Sequence, residues 1–146
     1  MLSRGDAAPD FTVETTRDDF TLSEQDGPVV LFFFPKAGSK VCTKEACSFR
    51  DSLDAFDGHD ATVLGVSTND SLDRLLEFAA ENDLDYPLAS DKSGELSDRF
   101  GLSGLLGLSQ KAKRATFVVE DGKVVAVTKG LFSAEKHVEE SLKAIE

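Results

Sequence analysis

The chain has 146 residues, 40% of them hydrophobic, which is enough for one domain with one sizeable core and too apolar for a mostly disordered chain. Its net charge of −11, with no basic stripe, works against the phosphate-binding surface that nucleic acid requires, and fits either a protein of a high-salt cytoplasm or an ordinary acidic soluble one. No run approaches the ~20 apolar residues of a membrane span, Met1 to Asp6 carry no apolar signal region, and two cysteines are too few for a disulfide framework or a four-cysteine zinc site; the expectation is a cytoplasmic protein with a redox-active thiol pair.

Gly5 to Asp10 form an opening loop, after which Phe11–Val13 and Phe20–Leu22 are placed to pair as a short hairpin around the polar stretch Glu14–Asp19. Gly27-Pro28 punctuates the chain ahead of Val29–Phe34, an apolar run whose lack of alternation predicts a strand buried on both faces. Pro35 ends it and a Gly-containing turn follows. From Ser39 onward Val41, Ala46, Phe49, Leu53 and Phe56 recur at roughly helical spacing up to Gly58, which predicts one long helix. Ala61–Ser67 predicts a second buried strand, and Thr68-Asn69-Asp70 a capping cluster for a helix with Leu72, Leu75, Leu76 and Ala79 on one face. This β-α-β-α unit implies parallel strands covered by helices. Pro87–Ala89 reads as a short strand and Ser93–Phe100 as a short helix ending at Gly101.

Gly101–Gln110 matches neither secondary-structure period. Its glycines are spaced by three and follow a helix, so it is not a dinucleotide loop. It reads as an apolar loop, with leucines that either cover a pocket or sit fixed in the core. Arg114–Glu120 and Lys123–Lys129 flank Asp121-Gly122, a strong hairpin signal. Ser133 is placed to cap a last helix, Ala134–Ile145.

Both cysteines lie in the stretch Leu31–Arg50, where strand gives way to turn and helix. Ser39 as N-cap puts Cys42 in the first helical turn, and there unpaired backbone N–H groups and the positive end of the helix dipole favour a thiolate. Cys42 is therefore the candidate nucleophile.

The pattern Pro35, three residues, Ser39, two residues, Cys42 resembles the active-site loop of peroxiredoxins. The second cysteine five residues on, within C-T-K-E-A-C-S-F-R-D, is similar to the peroxiredoxin Q branch, also called bacterioferritin comigratory protein. The likeness extends over nearly the whole chain, through G-D-A-A-P-D-F, V-L-G-V-S-T, R-A-T-F-V-V-E-D-G-K-V and F-S-A-E-K-H-V-E-E-S-L-K. Two departures stand out: Ser39-Lys40-Val41 replaces the Thr-Pro-Gly common in this branch, and Phe34 replaces a tyrosine before the proline. Serine keeps the hydroxyl.

The resemblance implies an α/β, thioredoxin-like fold: a single domain over residues 1–146, with a central mixed sheet flanked by helices and an N-terminal β-hairpin. It implies a monomeric thiol peroxidase that needs no cofactor, neither metal nor haem, acts on hydrogen peroxide and organic hydroperoxides, and is recycled by thioredoxin or a similar dithiol.

In that reading Cys42 is the peroxidatic thiol, and Arg114 matches the family's distant active-site arginine, pairing with the thiolate and polarising the peroxide; without the family match it reads as a surface arginine opening a strand. Ser39 caps the helix and bonds the peroxide, and Pro35, which lacks an N–H, walls the pocket. Glu45 resembles a glutamate that orients the arginine, or is an ordinary helix former on a solvated face. Cys47 is the candidate resolving thiol, yet residues i and i+5 of a helix lie roughly 8 to 9 Å apart at Cα, beyond the about 4.4–6.8 Å of a disulfide. The helix must unwind for the two to join; otherwise Cys47 is a small buried hydrophobe and an external thiol resolves Cys42.

Two other functions compete. A thioredoxin-fold binding module that has lost catalysis would not need the intact Pro35, Ser39, Cys42 and Arg114 set. A dithiol oxidoreductase would carry C-x-x-C and a proline facing it, whereas the spacing here is C-x4-C and residues 111–116 contain no proline.

Overall fold

The structure, a computed structural model, describes residues 1–102, 114–130 and 134–146. The N-terminal hairpin forms as expected but shorter: β1 (Thr12–Val13) pairs antiparallel with β2 (Phe20–Thr21), and Leu22 turns into a short 3₁₀ segment. Beyond it stands a five-stranded mixed sheet in the order β5-β4-β3-β6-β7. Its strands are β3 (Val29–Phe34), β4 (Thr62–Ser67), β5 (Leu88–Ser90), β6 (Ala115–Glu120) and β7 (Lys123–Lys129). β3 runs parallel to β4 and antiparallel to β6, so it is the central strand.

That position explains the unbroken apolar run. All six residues of β3 are buried, and because successive side chains alternate across a strand they serve two separate cores. Val30, Phe32 and Phe34 face a cluster with Cys42, Ala46, Phe49, Phe56, Phe78 and Val138. Val29, Leu31 and Phe33 face another with Phe11, Phe20, Leu22, Phe100 and Phe117. The Phe32 ring stacks on Phe49 with centroids 4.5 Å apart, pinning the cysteine-bearing helix to the sheet. Gly65 of β4 makes room for Phe32, since a Cβ there would lie 2.8 Å from its ring.

The helices are α1 (Lys40–Asp51), α2 (Leu53–Asp57), α3 (Leu72–Glu81), α4 (Glu95–Arg99) and α5 (Ala134–Ile145). The single helix expected from Ser39 to Gly58 is broken at Ser52, whose φ of −106° and ψ of 7° leave the helical region. Serine bonds readily to local backbone groups and is a weak helix former, and the break turns α2 so that Phe56 is fully buried.

The Thr68-Asn69-Asp70 cluster does not cap α3. Ser71 does, accepting from Arg74 N at 3.2 Å. α4 is shorter than the expected Ser93–Phe100 and begins after Gly94; the Asp91 carboxylate accepts from Leu96 N and Ser97 N at 2.9 and 2.8 Å. The β6–β7 turn forms as read, with Asp121 and Gly122 at φ of +52° and +76°. No helix among the described residues is long and apolar enough to cross a membrane. Ser103–Gln110 of the apolar glycine-rich segment, and Ser133, lie outside the described residues.

Candidate active site

Pro35 ends β3 at the carboxyl edge of its parallel pairing with β4, where open α/β sheets gather their functional loops. Two residues just past β4 brace that loop. Asp70, buried, accepts from Ala37 N at 2.7 Å and from Ser67 Oγ at 2.5 Å, and the Asn69 side-chain amide donates to the Pro35 carbonyl at 2.8 Å. Asn69 and Asp70 thus hold the turn into α1 instead of opening α3.

Ser39 is the N-cap of α1, and its Oγ accepts from Cys42 N at 3.3 Å. Cys42 sits in the first turn with its side chain fully buried. Arg114 immediately precedes β6, the neighbour of β3, and strand pairing carries its guanidinium back over that first turn. Nη2 donates to Cys42 Sγ at 2.9 Å and Nη1 to Glu45 Oε1 at 3.2 Å. Glu45 lies one turn after Cys42 on the same face of α1 and is 1% exposed, so it is no solvated helix former. A sulfur at a helix N-terminus with a guanidinium against it is equipped to carry negative charge.

Behind these groups lies a residue to which the sequence motifs assign no role. His137 of α5, fully buried, places Nδ1 2.8 Å from Thr116 Oγ1 and 3.6 Å from Glu45 Oε2, with Nε2 3.4 Å from the Gly130 carbonyl. Burial drives the Glu45 carboxyl up to about 7, more than the Arg114 guanidinium pulls it down. Burial also holds His137 below its ordinary value, against the pull of the Gly130 carbonyl. His137 was detectable in principle: with Ala134, Val138 and Ser141 it follows the i, i+3, i+4, i+7 spacing of a core-facing stripe.

Cys47 is a half-buried free thiol in the middle of α1. Its Sγ donates to Asn82 Oδ1 at 3.7 Å, Arg50 Nη1 donates to the Asn82 carbonyl at 2.7 Å, and Tyr86 Oη donates to the Ala46 carbonyl at 2.7 Å. The structure therefore gathers Ser39, Cys42, Glu45 and Arg114 at the start of α1, leaves Pro35 at the end of β3 where the chain turns toward them, and sets Cys47 apart on the intact helix.

The model of the AhpC/TSA family matches residues 4–127. A protein of Mycobacterium tuberculosis named as a peroxiredoxin is 40% identical over 97% of this chain and 94% of its own length. The chain belongs to the AhpC/TSA family of peroxiredoxins.

Among its relatives, the chloroplastic peroxiredoxin Q of Arabidopsis thaliana is 34% identical to this peroxiredoxin over 97% of this chain and 66% of its own. The crystal structure of peroxidoxin BcpB from Mycobacterium tuberculosis superposes with a TM-score of 0.90 at 39% identity, covering 99% of this chain and 97% of that one. Peroxiredoxin Q of Xanthomonas campestris superposes with a TM-score of 0.79 at 27% identity, covering 92% and 89%. The motif resemblance and the thioredoxin-like fold it implied are thereby shown, and a peroxiredoxin is a thiol-dependent peroxidase.

Proposed function

We propose that this peroxiredoxin reduces hydrogen peroxide and organic hydroperoxides with Cys42 as the peroxidatic thiol and Cys47 as the resolving one. The observation that carries the assignment is the Arg114 Nη2 to Cys42 Sγ contact at 2.9 Å, made at the capped N-terminus of α1. The Cys42 thiolate attacks one peroxide oxygen, the O–O bond breaks, and the departing hydroxide or alkoxide takes a proton, leaving a sulfenic acid. The Nε of Arg114, buried and without a hydrogen-bond partner among the described residues, is a donor for the peroxide as charge develops. Ser39 Oγ lies at the same helix end, Pro35 walls the pocket without competing for the sulfur, and Glu45 orients the guanidinium. The Cys47 thiol then displaces water from the sulfenic acid to give a disulfide, and a thioredoxin-like dithiol reduces it.

One observation favours a second reading, in which an external thiol resolves Cys42. Cys47 shares an unbroken helix with Cys42 and is tied to Asn82, so an internal disulfide requires α1 to unwind.

The organisation we propose is a monomeric cytoplasmic domain over residues 1–146 that binds no nucleic acid; its support is that both cores share the single five-stranded sheet and that the net charge is −11. Rapid mixing of the reduced protein with hydrogen peroxide and with a bulky organic hydroperoxide tests the chemistry. Oxidation of Cys42 by at least one of them, followed by turnover with a thioredoxin system, is the expected result. No oxidation by either would overturn the assignment.

A further inference from the structure

His137 is a buried titratable group to which the reaction above gives no task. The Gly130 carbonyl 3.4 Å from Nε2 can only accept, so Nε2 carries a hydrogen, and Nδ1 faces the Thr116 hydroxyl at 2.8 Å and the Glu45 carboxyl at 3.6 Å. Two proton arrangements satisfy these neighbours. In one the ring is neutral, accepts at Nδ1, and Glu45 holds the proton; in the other an imidazolium faces an ionised Glu45. Either way the pair is neutral.

That neutrality matters because Arg114 brings one positive charge to two acids, Cys42 and Glu45. A thiolate and a carboxylate around a single buried guanidinium would leave uncompensated negative charge, which burial makes costly. Among the described residues, the groups facing His137 are Glu45 from α1, Arg114 and Thr116 at the start of β6, and the Gly130 carbonyl after β7; the Lys44–Glu135 ion pair lies outside on the exposed surface.

We propose that His137 is a positioning residue for the nucleophile: with Glu45 it keeps one proton buried beside Arg114 while Cys42 is ionised, so that the guanidinium's charge is committed to sulfur. This rests on Cys42 being the peroxidatic thiol. No electron moves in the step; the pair retains its proton, and Cys42 releases its own to solvent. Without the ring, the arrangement in which the imidazole holds the proton is lost, Glu45 alone must keep it against the pull of the guanidinium, and an ionised Glu45 competes with sulfur for Arg114.

The test is the pH profile of the peroxide reaction in wild type, His137→Leu, Glu45→Gln and the double variant. His137→Leu should move the midpoint at which Cys42 becomes reactive upward by about one pH unit, the scale of a like charge in a buried site. With Glu45 already changed to Gln, it should move nothing. Equal shifts in both backgrounds would mean that His137 only packs, and would overturn the proposal. Wild type inert to peroxide would overturn it together with the reading beneath it. Should the leucine variant not fold, infrared spectroscopy of the carboxyl and nitrogen NMR of the imidazole on reduced wild type still decide. A protonated Glu45 or an imidazolium at mildly acidic pH is expected; neither being present would overturn the proposal.

Discussion

The Arg114 guanidinium reaches Cys42 Sγ at 2.9 Å across 72 positions of sequence, and through its other terminal nitrogen holds Glu45 at 3.2 Å. Charge-assisted hydrogen bonds of this kind are worth about 1.5–3 kcal/mol. Arg114→Lys keeps the charge but loses the fork that touches both acids, so rapid mixing should show the peroxide reaction slowed by about 10- to 100-fold. A lysine variant as fast as wild type would mean that charge alone suffices and that the paired geometry is irrelevant.

Cys42→Ser should abolish peroxide turnover while leaving the melting temperature close to wild type, because the change is nearly isosteric. Cys47→Ser should still consume one equivalent of peroxide and then accumulate the sulfenic acid when thioredoxin is the only reductant, read by mass spectrometry of trapped product. Undiminished steady-state turnover in Cys47→Ser would select the external-thiol reading.

Glu45 makes stability depend on pH in the direction opposite to an ordinary surface carboxylate. Its folded-state value is about 7 against an ordinary value of 4.5, so between the two the folded protein holds a proton that the unfolded chain has released. Stability from this group is complete below about 4.5 and lost as pH rises through about 7, a difference on the order of 3 kcal/mol. His137, lowered from 6.5, acts the other way, losing stability as pH falls below that value. Glu45→Gln isolates the first effect: its melting temperature relative to wild type should rise as pH goes from about 4.5 to 7.5. A constant difference across that range would show that Glu45 stays ionised throughout.

Joining Cys42 to Cys47 must break what holds the middle of α1, including the Tyr86 bond to the Ala46 carbonyl and the ties from Cys47 and Arg50 to Asn82. Removing one buried hydrogen bond costs about 1 kcal/mol, so Tyr86→Phe should destabilise the reduced protein by that amount and speed disulfide formation several-fold. Hydrogen exchange should lose protection across residues 39–49 on oxidation. Retained protection in a protein that has formed the disulfide would contradict the unwinding.

The sequence by itself determined what local chemistry encodes. An unbroken apolar run between Gly27-Pro28 and Pro35 pointed to a strand buried on both faces, Asp121-Gly122 to a tight hairpin, and Ser39 three residues before Cys42 to a thiol at a helix N-terminus, because caps, turns and strand alternation depend on near neighbours. It also named Arg114, but only through the family pattern, since nothing local distinguishes an arginine that opens a strand at the surface from one that is 4% exposed against a sulfur. The tertiary structure decided the rest. Ser52 breaks α1 so that Phe56 can reach the core; Asp70 leaves its capping role to Ser71 because the N–H of Ala37, 33 positions away, lies within reach; and Glu45 meets His137 only because α5 packs across α1. These relationships join residues that no periodicity connects. They exist because burial removes water as an alternative partner, and each buried polar group must then bond whatever the fold has placed beside it.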